Sequence, residues 1–457
     1  MEFENSINKS DSFPIGGDIG LAMPRWSNRE VLSDYRDFKA ERIKRPGFDA
    51  PFLMLTLIIL MIGLIMVLSA SFVRSYHIAG DPTHFFTRQI FFATIGILGM
   101  LVISRLKIRT ISLFSMHSLL FSIGLLVLVL VIGLNINGAT RWIPVDLGVV
   151  DFTFQPSEIA KLAIIMAFAQ MICKFGDKMK TIKYGVLPFV GIAGIITLLL
   201  YRQPHLSAAI IILLMTAVMM LAGGTRLKWF VLGGLLLAVA LAAVLLPHMI
   251  AYYSANEGSQ PSIRQAVIEA SRNLGYAGRR ISAWIDPDAD PLSSGFQTRQ
   301  SLLAIGSGGL FGQGLGQSRQ KFLYLPEEHN DFIFSIVSEE LGFIGVMLIL
   351  SLFALLIIRG FWIAMRVKDR YGSLLVFGIT SMLAIQVFLN VGVVTNLIPA
   401  TGISLPFFSY GGTALLLQLF KIGLILAVSR EIPHYEEKHN QENRNDGYYD
   451  EKHEEWA

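Results

Sequence analysis

Cysteine is nearly absent from this sequence: one residue, Cys173, in 457. It lies in an apolar run, which excludes an intramolecular disulfide framework. Charge is scarce as well. Only 16% of the residues are charged, 53% are hydrophobic and the mean hydropathy is +0.55, whereas a soluble chain carries about a quarter charged residues. The formal net charge of +4 is too small to argue for nucleic acid. No cleavable signal peptide is visible, because residues 1–48 are polar and charged. The glycines of GSGGLFGQGLG lack the Lys-Ser/Thr ending of a phosphate loop and read as permission for tight turns. No cluster of metal ligands stands out.

What remains is apolar sequence in long runs. Stretches long enough to cross a bilayer, about 17–25 residues each, occur near 51–73, 86–104, 111–134, 157–175, 184–201, 206–223, 228–250, 332–358, 371–395 and 409–429. Their apolar residues are spread all round and lack the two-residue alternation of barrel strands. The expected fold is an all-α integral membrane protein, a ten-helix transmembrane bundle over 49–432 with one long extracytoplasmic loop, 251–331. Residues 1–48 and the charged segment 433–457 read as cytoplasmic tails, the second disordered.

Basic residues fix the expected orientation. Arg105, Lys107 and Arg109, then Lys174, Lys178, Lys180 and Lys183, then Arg226 and Lys228, then Arg359, Arg366, Lys368 and Arg370 all fall in short loops on the side of both termini. That side is the cytoplasm, and 135–156, 202–205, 251–331 and 396–408 lie outside. Within the long loop, Ile263, Val267, Ala270, Leu274, Ala277, Ile281 and Trp284 form one apolar stripe. They predict an amphipathic helix lying on the outer membrane surface or packed on the bundle, weakened at Gly275 and Gly278.

The polar residues that packing does not explain collect on the outer face: Arg141 and Trp142, Glu158 and Lys161, Gln297, Asp331 and Ser409. An enzyme facing outward has no ATP, so its substrate must arrive already activated, as a lipid-linked pyrophosphate does. Arginine and lysine suit the phosphates, and an aspartate suits deprotonation of an acceptor hydroxyl. Blander readings stand beside these. Glu158 and Lys161, three apart, neutralise each other; Asp331 caps the eighth helix; His329 is a hydrogen-bonded bystander. Glu339 and Glu340, two turns into the eighth run, face the bundle interior, paired or protonated, as structure or a polar cavity, and Lys421 in the tenth run is expected to pair within the bundle.

The motifs QPSEIAKL, DPLSSGFQ, GSGGLFGQGLGQSRQKFLYLPEEHNDFIF, EELGFIG and LPFFSYGG, in this order over residues 50–432, resemble the SEDS family (shape, elongation, division and sporulation; the FtsW, RodA and SpoVE group). GQSRQKFLYLPE with SEELG is closer to the division and sporulation branch than to the elongation branch. The resemblance implies a peptidoglycan glycosyltransferase that polymerises lipid II into β-1,4 strands at the outer face of the bacterial cytoplasmic membrane. It would work with a class B penicillin-binding protein transpeptidase and other division or sporulation proteins. The family's essential aspartate matches Asp331, as general base. Arg141 and Lys161 would contact the phosphates with Glu158 orienting them, and Trp142, Gln297 and Ser409 would line the sugar cavity. A divalent cation, magnesium or manganese, would assist the leaving group. A lipid II flippase, a scaffold for the transpeptidase and an elongation-type polymerase are the alternatives. Two departures stand out. Asn330 replaces the family's threonine, and in RQPHLSAA His205 replaces its usual acid, so an acidic role does not carry over there.

Overall fold

The computed structural model describes residues 47–136, 139–146, 151–256, 262–272, 275–287 and 294–432. Both expected tails fall outside these apart from residues 47 and 48, which precede the first helix. Hydrophobic runs become helices: α1 (Ala50–Ala79), α2 (His84–Ile103), α3 (Ile108–Ile132), α4 (Pro156–Phe175), a single turn α5 (Ile182–Gly185) leading into α6 (Leu187–Arg202), α7 (Leu206–Ala222) and α8 (Leu227–Ala255). The long loop holds α9 (Ile263–Arg272), α10 (Gly275–Ile285) and α11 (Ser294–Gly308). The chain finishes with α12 (Ile333–Arg366), α13 (Arg370–Val394) and α14 (Gly412–Ser429). Among the described residues nine helices are long and apolar enough to cross a membrane, and α7, at 17 residues, is a shorter apolar one. The protein is a helical integral membrane protein.

Helices α4, α13 and α14 form the enclosed centre, and the outer helices turn leucine, isoleucine and phenylalanine outward. In lipid those exposed apolar faces cost nothing. Helix α8 buries none of its residues. At one end of the bundle Arg359 donates twice to Asp49, at 2.8 and 3.1 Å, and Asp49 N donates to Ser429 Oγ at 3.1 Å, so the starts and ends of α1, α12 and α14 meet there. The candidate residues lie at the opposite end.

Three findings depart from the sequence reading. First, the segment before α4 is a small antiparallel sheet of β1 (Leu134–Ile136), β2 (Ala139–Asp146) and β3 (Asp151–Phe154) in that order. Thr140, Trp142, Ile143, Val145 and Phe152 favour strand, and Pro144 is tolerated in the middle strand because β1 pairs no further than Trp142. Second, the amphipathic stretch is two helices, with Gly275 at φ +69° beginning the second. Ile263 is exposed, and Trp284 Nε1 and Arg280 Nη1 donate to the carbonyls of Asn396 and Ala400 at 3.0 and 2.8 Å. Of the two expectations, packing on the bundle holds for α10.

Third, α12 is broken at Gly342, whose φ of 65° and ψ of −173° are not helical. A break inside a membrane span frees backbone groups that lipid cannot satisfy. The glycine-rich loop after α11 meets all four. Gln313 N and Gly314 N donate to the carbonyls of Glu339 and Glu340 at 2.9 and 3.0 Å, and Phe343 N and Ile344 N donate to Gly309 and Leu310 at 2.9 and 3.1 Å. A side chain at Gly342 would strike this loop.

The acidic pair beside the break holds the same segment. Glu339 accepts from Arg319 N at 2.9 Å and Ser318 Oγ at 2.5 Å. Glu340 pairs with buried Lys321 at 3.0 Å and accepts from Ser69 Oγ of α1 at 2.7 Å. Both carboxylates are buried and partnered, as the sequence reading has them.

Candidate active site

The segment that carries Asp331 leaves this loop and runs along the end of α1 that carries Arg74. Arg74 grips Glu328 with two bonds of 2.7 Å. The next three carbonyls are each held from a different direction: His329 O accepts from Tyr410 N at 2.8 Å, Asn330 O from Ser409 Oγ at 2.8 Å, and Asp331 O from Asn390 Nδ2 at 2.8 Å. Asn390 also donates to Ile403 O at 2.7 Å, so one amide of α13 ties both strands of the site together.

Asp331 therefore ends a run of three consecutive anchored carbonyls, its own included, and has a carboxylate that makes no hydrogen bond or ion pair among the described residues. It does not cap α12. The cap position is Phe332, without a side-chain bond, because Asp331 turns toward Gly402 instead. There a Cβ would lie 3.0 Å from its Oδ2, and Gly402 sits at φ +73°. Burial pushes the Asp331 carboxyl up to about 6; the charge of Glu327 adds to this, and Arg280, Arg141 and His329 pull the other way. A carboxylate held near neutral pH beside two guanidinium groups is suited to accept a proton and to stay near an anion.

The second half of the site stands on the first turn of α4. Glu158 forms a buried ion pair with Lys161, as the spacing suggests, and Lys421 of α14 approaches the same carboxylate at 3.7 Å. Among the described residues Lys421 Nζ has no hydrogen-bond partner, and neither do Gln386 Oε1 and Gln418 Nε2 nearby. A cavity of about 30 Å³, lined by Glu158, Gln386, Ser404, Ser409, Tyr410 and Gln418, joins this cluster to the Asp331 loop. It has room for a water. On the other flank Arg141 of β2 donates through Nη2 to Pro204 O and through Nε to Gln203 O at 3.4 Å. Lys161 and Lys421 share one carboxylate, Glu158, and Arg141 pairs with no carboxylate among the described residues.

The remaining candidates are placed differently. Trp142 is half-buried and pairs with Leu134 of β1 at a register shift that leaves Arg141 as the extra residue of β2. Gln297 is half-buried in the first turn of α11 and makes no hydrogen bond to the others. Ser409 spends both its bonds on backbone, accepting from Leu405 N at 2.7 Å and donating to Asn330 O. It clamps the loop. The residues the sequence reading left out are Asn390, whose signal was an amide inside an apolar run, and Arg280, which lies off the apolar stripe of the long loop.

Residues 50–434 match the family model described as cell cycle protein, the FtsW, RodA and SpoVE group. The chain belongs to this family. It is 42% identical over 389 residues to Stage V sporulation protein E of Bacillus subtilis (strain 168), covering 85% of this chain and 98% of that one. It is 38% identical to a probable peptidoglycan glycosyltransferase FtsW of Trichlorobacter lovleyi, covering 84% and 93%. Among solved structures it resembles one described as "Structural coordination of polymerization and crosslinking by a peptidoglycan synthase complex", with a TM-score of 0.66 and 27% identity over 85% of this chain and 99% of that chain. It also resembles the rod shape determining protein RodA of Thermus thermophilus, at 0.58 and 28%, over 85% and 98%.

Proposed function

We propose that this chain is a peptidoglycan glycosyltransferase of the division and sporulation branch, polymerising lipid II at the outer face of the cytoplasmic membrane. The observation that carries the reading is Asp331: anchored through its own carbonyl and those of the two residues before it, its carboxylate unbonded among the described residues and its pKa raised to about 6. A base so held needs no reorganisation when the proton moves.

In the proposed step Asp331 takes the proton from the 4-hydroxyl of the acceptor's terminal GlcNAc. The freed oxygen attacks the anomeric carbon of the donor's MurNAc from the face opposite the diphosphate. The new β-1,4 bond forms as the bond to the diphosphate breaks, and undecaprenyl diphosphate departs with the electron pair. Arg141 and Lys161 stabilise its growing charge, with Glu158 holding Lys161 in place. A divalent cation, magnesium or manganese, would travel with the diphosphate. Among the described residues no group of three His, Cys, Asp or Glu side chains comes together to hold one, and no step here depends on it.

Two further points belong to this reading. A class B penicillin-binding protein is the partner, supported by the likeness to a synthase complex whose description couples polymerisation with crosslinking. Both termini face the cytoplasm, supported by the basic short loops at the end of the bundle opposite Asp331. The test is reconstitution of the full chain with its transpeptidase and lipid II, with crosslinking blocked. Glycan strands are expected from the native protein and none from Asp331→Asn, with partner binding retained. Normal polymerisation by that variant would sink the assignment. Lipid II crossing vesicle membranes with no polymer formed would favour a flippase.

A further inference from the structure

Where α4 meets α14 the structure buries more positive charge than negative. Glu158 is 7% exposed, Lys161 4% and Lys421 1%. Glu158 turns Oε1 to Lys161 and Oε2 to Lys421, whose Nζ stands 3.7 Å away. Among the described residues neither lysine has a second carboxylate. His205 also faces Glu158, but burial first, then the charges of Arg141 and Lys161, press its pKa down to about 3, so it adds no charge. One ammonium is left unbalanced.

A buried charge without a partner is unfavourable, and the Glu158–Lys161 pair is complete without Lys421. The second ammonium matters once Lys161 is asked to hold a phosphate oxygen. On its own Lys161 could do so only by stranding a buried carboxylate. Lys421 removes that penalty. Its Nζ makes no hydrogen bond among the described residues, so its donors are uncommitted, and a movement of about 1 Å brings it to the length of a charged hydrogen bond. Glu158 and Gln418, one turn before Lys421 on α14, line the cavity that reaches Ser409 and Tyr410, which leaves the carboxylate room to turn.

We propose that Lys421 is a positioning residue that acts through Glu158: when Lys161 donates to the lipid-linked diphosphate, the carboxylate it leaves passes to Lys421. Ion pairs exchange partners, and no proton moves. The exchange rests on the glycosyltransferase reading above and extends it to a residue that the substrate does not touch. It also gives the surplus charge a purpose, since every charged group of the cluster is paired once the diphosphate is bound.

The probe is farnesyl diphosphate, titrated by calorimetry into the full chain in a detergent free of anionic lipid. Lys421→Met leaves a neutral Glu158–Lys161 pair. It is expected to bind about tenfold more weakly than the native protein while unfolding no more readily, because no charge is stranded. Lys421→Gln, equally uncharged, should show the same loss and stands in if methionine disrupts the packing. Lys421→Met combined with Glu158→Gln frees Lys161 and restores the single surplus charge, so it should bind within about threefold of the native protein. A residue that served packing alone would not be rescued by removing the carboxylate. In polymerisation, kcat/KM of Lys421→Met should fall about tenfold. Uncharged variants at 421 that bind like the native protein overturn the proposal, and so does a double variant as weak as Lys421→Met. Phosphatidylglycerol competing as well as farnesyl diphosphate would assign the site to a membrane headgroup and also overturn it, as would native protein that does not bind the probe. Native protein that binds the probe yet makes no polymer would refute the glycosyltransferase reading and leave the exchange at Glu158 to be decided by the titrations alone.

Discussion

A carboxylate that ionises near 6 gives the reaction a pH signature. Asp331 must be deprotonated to act as a base, so kcat/KM should fall as pH drops through about 6. Removing a cation that pulls its pKa down should move this limb upward, and removing the anion that raises it should move the limb down. Arg280→Gln and Glu327→Gln are therefore expected to displace the limb in opposite directions in a pH–rate profile. Displacement in the same direction would remove Asp331 from the base role. Glu158→Gln leaves Lys161 and Lys421 without their shared carboxylate, and it should cost about 3–5 kcal/mol in unfolding experiments.

At this scale the sequence was partly legible. Asp331 and the Glu158–Lys161 pair were visible from spacing and from the family resemblance. Asn390 was not, because one amide among valines and leucines of the ninth run carries no local sign that it bonds the carbonyls of Asp331 and Ile403. Ser409 was visible as a residue lining the cavity, where the structure has it, but not as a clamp. Its position marked the site, but its hydroxyl is committed to Leu405 N and Asn330 O, a fact that depends on a contact 79 residues away in the chain.

Among the elements, the broken helix α12 is the most exposed to test. Gly342→Ala asks a residue with a side chain to adopt φ 65° and ψ −173° against the backbone of the 309–314 loop. Such strain alone costs about 1–3 kcal/mol, so a lower unfolding temperature and loss of polymer are expected together. Glu340→Gln should weaken the same region by stranding buried Lys321, by about 3–5 kcal/mol. A variant at either position with native thermal stability would contradict this account. Hydrophobic periodicity located α12 but not its interruption, because apolar residues continue on both sides of Gly342 and the partners of the freed groups lie about 30 residues earlier. The sheet before α4 escaped notice for a related reason: its strands are short, and pairing, not pattern, defines them.

For the whole molecule the single cysteine is an experimental convenience. In a Cys173→Ala background, Asp81→Cys at the exposed α1–α2 turn should react with a membrane-impermeant maleimide on intact cells, and Lys107→Cys at the α2–α3 turn should react only after lysis. The reverse result would put Asp331 on the cytoplasmic side and remove the rationale for a pre-activated lipid substrate. Spans and basic loops were legible throughout, because bilayer thickness and charge bias act locally on composition. How the spans assemble was not, since α4, α13 and α14 are no more apolar than the helices that surround them.

A rod cut part-way needs a splint. The loop after α11 bonds the carbonyls of Glu339 and Glu340 on one side of the break in α12 and the amides of Phe343 and Ile344 on the other, and the backbone of Gly312 lies against Gly342. The same stretch of chain continues through Ser318 and Arg319, both bonded to Glu339, to the segment that carries Asp331. A displacement of that loop is felt at both halves of α12 and at the proton acceptor together.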